Sequence, residues 1–155
     1  MNVNEIMTTN VIGVQEATTI EDAARLLARH RISGMPVTNK AGSLVGLVSE
    51  YDLIAKTGET VGDVMTRSVI SVSPATAIEE LTHLLVNRHI RRVPVLDGDR
   101  VVGIVSRSDI VKQLAMRWVC HTCGEVVRGA VAPDQCPRCG AGQETFTHQA
   151  ELPGD

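Results

Sequence analysis

The chain has 155 residues, 43% hydrophobic and 21% charged, with a formal net charge of −3. That length suits one domain or two small ones, three aromatic residues (Tyr51, Trp118, Phe146) leave the core to aliphatic side chains, and the charge supplies no field for nucleic acid or an anionic membrane. No apolar run approaches about 18 residues and no apolar signal segment opens the chain, so a cytoplasmic protein is expected.

In chain order, Val11–Val14 predicts a short strand. Thr18-x-x-Glu21 predicts a capping box, in which the threonine oxygen accepts from a free N–H at a helix start. Ile20, Ala23, Ala24, Leu27 and Ala28 follow at helical spacing. Two apolar runs, Met35–Thr38 and Leu44–Val48, flank a turn at Lys40, Ala41 and Gly42, and a further helix is expected from Ser49. The pattern then starts again. Val61-Gly-Asp-Val-Met-Thr66 repeats Val3-Asn-Glu-Ile-Met-Thr8, and Val69–Val72 repeats Val11–Val14. Thr76-x-x-Glu79 with Ile78, Leu81, Leu85 and Val86 repeats the helix. Val93–Leu96 and Val101–Val105 repeat the hairpin around Asp97-Gly98-Asp99, and Ser106 repeats Ser49. The offset is 58 residues (Val3 to Val61) before the hairpin turn and 57 after it (Gly46 to Gly103), which a one-residue indel in that turn explains. Each unit reads strand, helix, strand, strand, helix. It is too small to cover its own sheet face, so the two copies are expected to bury theirs against each other.

Both copies carry Ser-x-x-Asp where the last helix begins: Ser49 and Asp52, Ser106 and Asp109. The spacing fits a capping box. It also fits a ligand site, since free N–H groups at a helix start favour phosphate and a carboxylate accepts ribose hydroxyls. Arg88-His89-Ile90-Arg91-Arg92 precedes Val93-Pro94, where the first copy has His30-Arg31-Ile32-Ser33-Gly34 before Met35-Pro36. Arg91 and Arg92 read either as solvated charge or as forks for phosphate oxygens, with Arg107 a lesser candidate. His83 and His89 read as surface helix residues. With no nucleophile–base pair or glycine-rich phosphate loop, no enzymatic activity is expected.

All four cysteines fall in two C-x-x-C hooks, Cys120/Cys123 and Cys136/Cys139, followed by Gly124 and Gly140. Turn N–H groups in such hooks donate to thiolates and glycine permits the tight φ, so four sulfurs can close a tetrahedral zinc or iron site. His121 and His148 are not expected to ligate. A segment of about 35 residues buries little core, so metal should drive its folding. Only Met116–Val119 separates the hooks from the preceding helix, which puts Trp118 at the junction. Across 115–155, Arg117, Arg128 and Arg138 are outnumbered by Glu125, Asp134, Glu144, Glu151 and Asp155, which argues against nucleic-acid binding.

The repeated Val-x-x-Val/Ile-Met-Thr openings, the Pro-Val strands and the Gly-h-Val-Ser-x-x-Asp segments together resemble a tandem pair of CBS (cystathionine-β-synthase) domains over about Val3–Leu114. The resemblance implies an α+β fold of two βαββα repeats related by a pseudo-two-fold axis. It implies a regulatory module binding an adenosine nucleotide (AMP, ADP or ATP), and a homodimer. It further implies one cleft formed by Arg91, Arg92, Ile104, Ser106 and Asp109 with Ile12, Ser33 and Gly34. The mirror cleft takes Ser49, Asp52, Ile70 and the Arg92–Val93 backbone without the basic pair, so the Asp109 cleft is expected to bind more tightly. The segment from Trp118 to Phe146, with Cys-x-x-Cys-Gly, Gly129, Ala132-Pro133 and Cys-Pro-x-Cys-Gly-Ala, resembles the rubredoxin-like domain of rubrerythrins. It implies a four-cysteine metal ribbon for partner docking or redox sensing, or, in other readings, iron-based electron transfer or a nucleic-acid-associated zinc ribbon. The expected divisions are 1–58, 59–116, 117–147 and a disordered tail, 148–155.

Overall fold

The first helix, α1 (Ile20–His30), starts at Thr19, whose hydroxyl accepts from the Asp22 N–H at 3.2 Å. The predicted cap was Thr18; that hydroxyl instead accepts from the Gln15 N–H, closing the turn before the helix. Glu21 and Asp22 in the first turn, with Arg29 and His30 in the last, complement the helix dipole. Ala23 and Leu27 are buried, whereas Ala24 and Ala28, which share the helical spacing, are exposed. Strands β1 (Gly34–Thr38) and β2 (Leu44–Ser49) form an antiparallel hairpin, and α2 (Glu50–Ala55) follows directly.

The second repeat runs α3 (Val61–Val64), α4 (Ile78–Asn87), β3 (Arg92–Asp97), β4 (Arg100–Ser106) and α5 (Arg107–Ala115), with β3 and β4 paired antiparallel. Here too the cap falls one residue later than predicted, at Ala77, while Thr76 Oγ1 accepts from Ser73 N–H. The predicted strands Val11–Val14 and Val69–Val72 are reduced to single parallel bridges, Val14 to Val37 and Val72 to Val95.

The repeats exchange their opening segments. Val61 N–H donates to Thr18 O, Gly62 N–H to Glu16 O and Ile20 N–H to Glu59 O; at the offset of 58, Val3 N–H donates to Thr76 O, Asn4 N–H to Pro74 O and Ile78 N–H to Met1 O. Thr66 pairs with Leu47 and Thr8 with Ile104 in the same crossed sense. Val61, Val64 and Met65 therefore sit in the first repeat's core with Ala23, Leu27, Met35, Val37 and Val48. Each aliphatic side chain buried this way contributes about 1.5–3 kcal/mol. A reciprocal contact of this kind is isologous, the arrangement a two-fold axis generates.

The structure, a computed structural model, describes residues 1–129 and 131–150, so most of the tail expected to be disordered (151–155) lies outside the described residues. The chain divides into two compact units, Met1–Arg107 and Ser108–Asp155. In the second, β5 (Met116–Cys120) pairs antiparallel with β6 (Val126–Arg128) and β7 (Phe146–Ala150), giving the order β6-β5-β7. Trp118, expected at the junction, packs within this ribbon: its indole N–H donates to Gly129 O at 3.0 Å and its ring meets His148 edge-on at 5.0 Å. Among the described residues no helix is long and apolar enough to cross a membrane.

Candidate functional sites

Two sites stand out, one in each unit. In the first unit a cavity of about 580 Å³ is bounded by four stretches of chain. The end of β2 and start of α2 supply Leu47 and Ser49–Asp52; the segment after α3 supplies Thr66 and Ser68–Ile70; the approach to β3 supplies His89–Arg92; and Ser33 completes the wall. Ser49 caps α2 as expected: its hydroxyl accepts from Asp52 N–H at 3.3 Å, while Asp52 Oδ2 accepts from Ser49 N–H at 3.0 Å and from the Ser49 hydroxyl at 3.1 Å. Asp52 is only 4% exposed, and Lys56 Nζ donates to its other oxygen at 2.6 Å.

Arg92 donates from Nη2 to the Ser33 hydroxyl, and its guanidinium lies directly over Gly34, where a β-carbon would collide with it. Gly34 is the counterpart of Arg92 at the offset of 58. The two positions related by the pseudo-two-fold thus touch, and only one of them has room for a long side chain. Burial pulls the Arg92 guanidinium below its ordinary pKa, and the Arg91 charge pulls the same way against Glu50 and Asp52.

This grouping differs from the expected one. Arg91 and Arg92 were assigned to the cleft of Ser106 and Asp109, yet they line the cavity of Ser49, Asp52 and Ile70. The exchange of opening segments brings Thr66 to Leu47 in this wall, and the Arg92–Ser33 hydrogen bond ties the approach to β3 to it. Ile104 pairs with Thr8, and Ile12 packs on the first repeat's core. Val93 is fully buried in β3. Ser106 ends β4 in the first unit, and Asp109 stands on the first turn of α5 in the second. The Arg107 guanidinium donates to the carbonyls of Ile90 (2.8 Å) and Leu85 (3.4 Å), bracing the segment that carries Arg91. His83 stays on α4, whereas His89 lies beyond the helix end in the left-handed region (φ 52°) and lines the cavity. Thr66, Ser68 and Glu50 were missed. The Met-Thr openings signalled two of these segments but read only as repeat markers.

In the second unit Cys120, Cys123, Cys136 and Cys139 place their sulfurs within 4.8 Å of one another. Gly124 and Gly140 take φ of 78° and 75° and donate back to Cys120 O and Cys136 O, closing both hooks as the spacing predicts. Burial opposes ionisation of Cys120, but N–H groups of Cys123 and Thr122 and the Thr145 hydroxyl overcome it and bring the thiol down to about 6. Cys123, although it accepts from the Glu125 N–H, is pushed up to about 12 by burial and by its three thiol neighbours. Four thiolates this close repel one another, and a divalent cation among them relieves the repulsion while taking all four as ligands. The donor set fits zinc or iron. His121 turns to the Thr147 hydroxyl and His148 to Trp118.

Comparison with known proteins gives two kinds of match. The CBS-domain family model matches residues 3–58 and 61–116, and the rubrerythrin rubredoxin-like domain model matches 118–147. The uncharacterized protein MJ1225 of Methanocaldococcus jannaschii is 31% identical over 122 residues, 75% of this chain; the chain spans 44% of that protein's length. The crystal structure of CBSX2 from Arabidopsis thaliana in complex with AMP has a TM-score of 0.68 at 34% identity, covering 71% of this chain and 93% of that one. The CBS domain pair of MJ0100, crystallised with 5′-methylthioadenosine and S-adenosyl-L-methionine, also has a TM-score of 0.68, at 30% identity, covering 72% and 93%.

Proposed function

The chain belongs to the CBS-domain family, carries a rubredoxin-like domain of the rubrerythrin type, and acts, we propose, as a regulatory module that binds an adenosine nucleotide rather than as a catalyst. The observation that carries this reading is the convergence of Arg91, Arg92 and Ser49–Asp52 on one cavity. Two arginines suit a phosphate, and a buried carboxylate suits a ribose. Similarity to proteins crystallised with AMP and with S-adenosyl-L-methionine supports an adenosine ligand. The paired arginines favour a phosphorylated adenosine over the sulfonium cation. Isothermal titration with AMP, ADP, ATP and S-adenosyl-L-methionine tests this: phosphate-bearing ligands should bind more tightly, and absence of heat with all four would refute it.

The α1 and α2 faces bound an apolar groove lined by Ala24, Leu27, Ala28, Leu53 and Ile54, and Ile54 is 85% exposed. That surface supports a homodimer, which light scattering of wild type and Ile54→Glu would test. The four-cysteine ribbon binds one zinc or iron ion and docks a partner or reports redox state, in a cytoplasm that keeps thiols reduced. A red protein that bleaches on reduction would favour iron and electron transfer; a colourless one with stoichiometric zinc would favour docking.

A further inference from the structure

Resting on the nucleotide reading above, we infer that Lys56 positions Asp52 so that this cleft grips a single ribose hydroxyl, which makes Lys56 a specificity residue for the sugar. A carboxylate offers about four lone-pair sites, two on each oxygen. Oδ2 of Asp52 accepts from the Ser49 N–H and the Ser49 hydroxyl and is filled. Oδ1 accepts from Lys56 Nζ, which also donates to the Val64 carbonyl at 3.0 Å. The ammonium thus ties α2 to the end of α3, and it does so from outside the cavity, whose wall includes Asp52 but not Lys56.

One acceptor site on Asp52 is left for a ligand. A 2′,3′-diol gripped by both hydroxyls needs two, so it would have to displace Lys56 or break the cap of α2. The Ser49 hydroxyl spends its proton on Asp52. It has none for a phosphate, and the Glu50 and Asp52 N–H groups are taken by Ser33 O and the Ser49 hydroxyl, so recognition of the anion falls to Arg91 and Arg92. Lys56 is not a fixed feature of the repeat: at the offset of 57 the second copy has Gln113.

The test titrates AMP, 2′-deoxy-AMP and 3′-deoxy-AMP into wild type, K56M and K56R, assigning to this cleft the binding that Asp52→Ala weakens. In wild type one deoxy analogue should bind within about twofold of AMP and the other about tenfold more weakly, the scale of one hydrogen bond to a charged acceptor. In K56M the freed site should make both analogues about tenfold weaker than AMP, and K56R should restore the wild-type pattern. Circular dichroism checks folding, with K56Q standing in if K56M fails to fold. Equal losses for both analogues in wild type, or a pattern unchanged in K56M, would overturn the inference while leaving nucleotide binding intact. No AMP binding by wild type at all would remove the nucleotide reading and this inference together.

Discussion

Replacing Gly34 by alanine probes the contact on the pseudo-two-fold. The three atoms nearest an added β-carbon all belong to the Arg92 guanidinium, and none is backbone. Gly34 does not adopt a positive φ, so alanine carries no backbone penalty there. The cost is therefore the displacement of Arg92: its hydrogen bond to Ser33 is lost and its half-buried stem is partly exposed. A hydrogen bond from a charged donor contributes about 1.5–3 kcal/mol, and partial solvent exposure reduces that to about 1–2 kcal/mol. At about 2–4 °C per kcal/mol for a chain of this size, G34A should lower the melting temperature by about 2–8 °C. Thermal denaturation of G34A, R92A and the double variant forms a cycle. G34A should be close to neutral in the R92A background, because the obstructing group is gone. An equal loss in both backgrounds would refute the reasoning.

The exchange of openings predicts that Val61→Ala, although in the second repeat, disrupts the first repeat's core; losing two buried carbons and leaving a cavity should cost about 2–3 kcal/mol by urea denaturation. Removing the metal with a chelator should abolish the dispersed amide signals of the ribbon in NMR spectra while those of Met35 and Val48 persist, since among the described residues the ribbon's buried cluster is the small group Cys120, Ala132, Cys136 and Phe146. Asp63 is held below the ordinary carboxylate range by N–H donation from Thr60 and Glu59, with the Thr60 hydroxyl helping. A depressed pKa stabilises the fold above the unfolded value, and the effect disappears as pH falls through the folded one. The gap in melting temperature between wild type and D63N should be largest near neutrality and close as pH drops below about 4.

Much of this was legible in the sequence because local chemistry decides it. The hairpins around Gly42 and Gly98, the Ser49 cap and the glycines closing both cysteine hooks each depend on a few neighbouring residues. The caps slipped by one residue because Thr18 and Thr76 had competing N–H groups within reach, those of Gln15 and Ser73. The Val11–Val14 strand shrank to a bridge because its hydrogen bonds are not repeated along the segment. What the sequence leaves open is the exchange. Val3 and Val61 carry the same pattern, so periodicity cannot say which copy covers which core. Assigning Arg91 and Arg92 to the right Ser-x-x-Asp depends on that choice. Which residues are candidates for a ligand site is readable from their types; how they group is a property of the packed pair.

The most direct test of that grouping is AMP titration of R91A, D52A, D109A and the two double variants containing R91A. The side chain of Arg91 is exposed at the cavity wall, so its loss should weaken AMP binding without unfolding the chain. The cross-repeat cleft predicts that the R91A loss, about tenfold, persists in the D109A background and shrinks in the D52A background. A loss that persists in D52A and vanishes in D109A would contradict the account and return both arginines to the second repeat's own Ser-x-x-Asp.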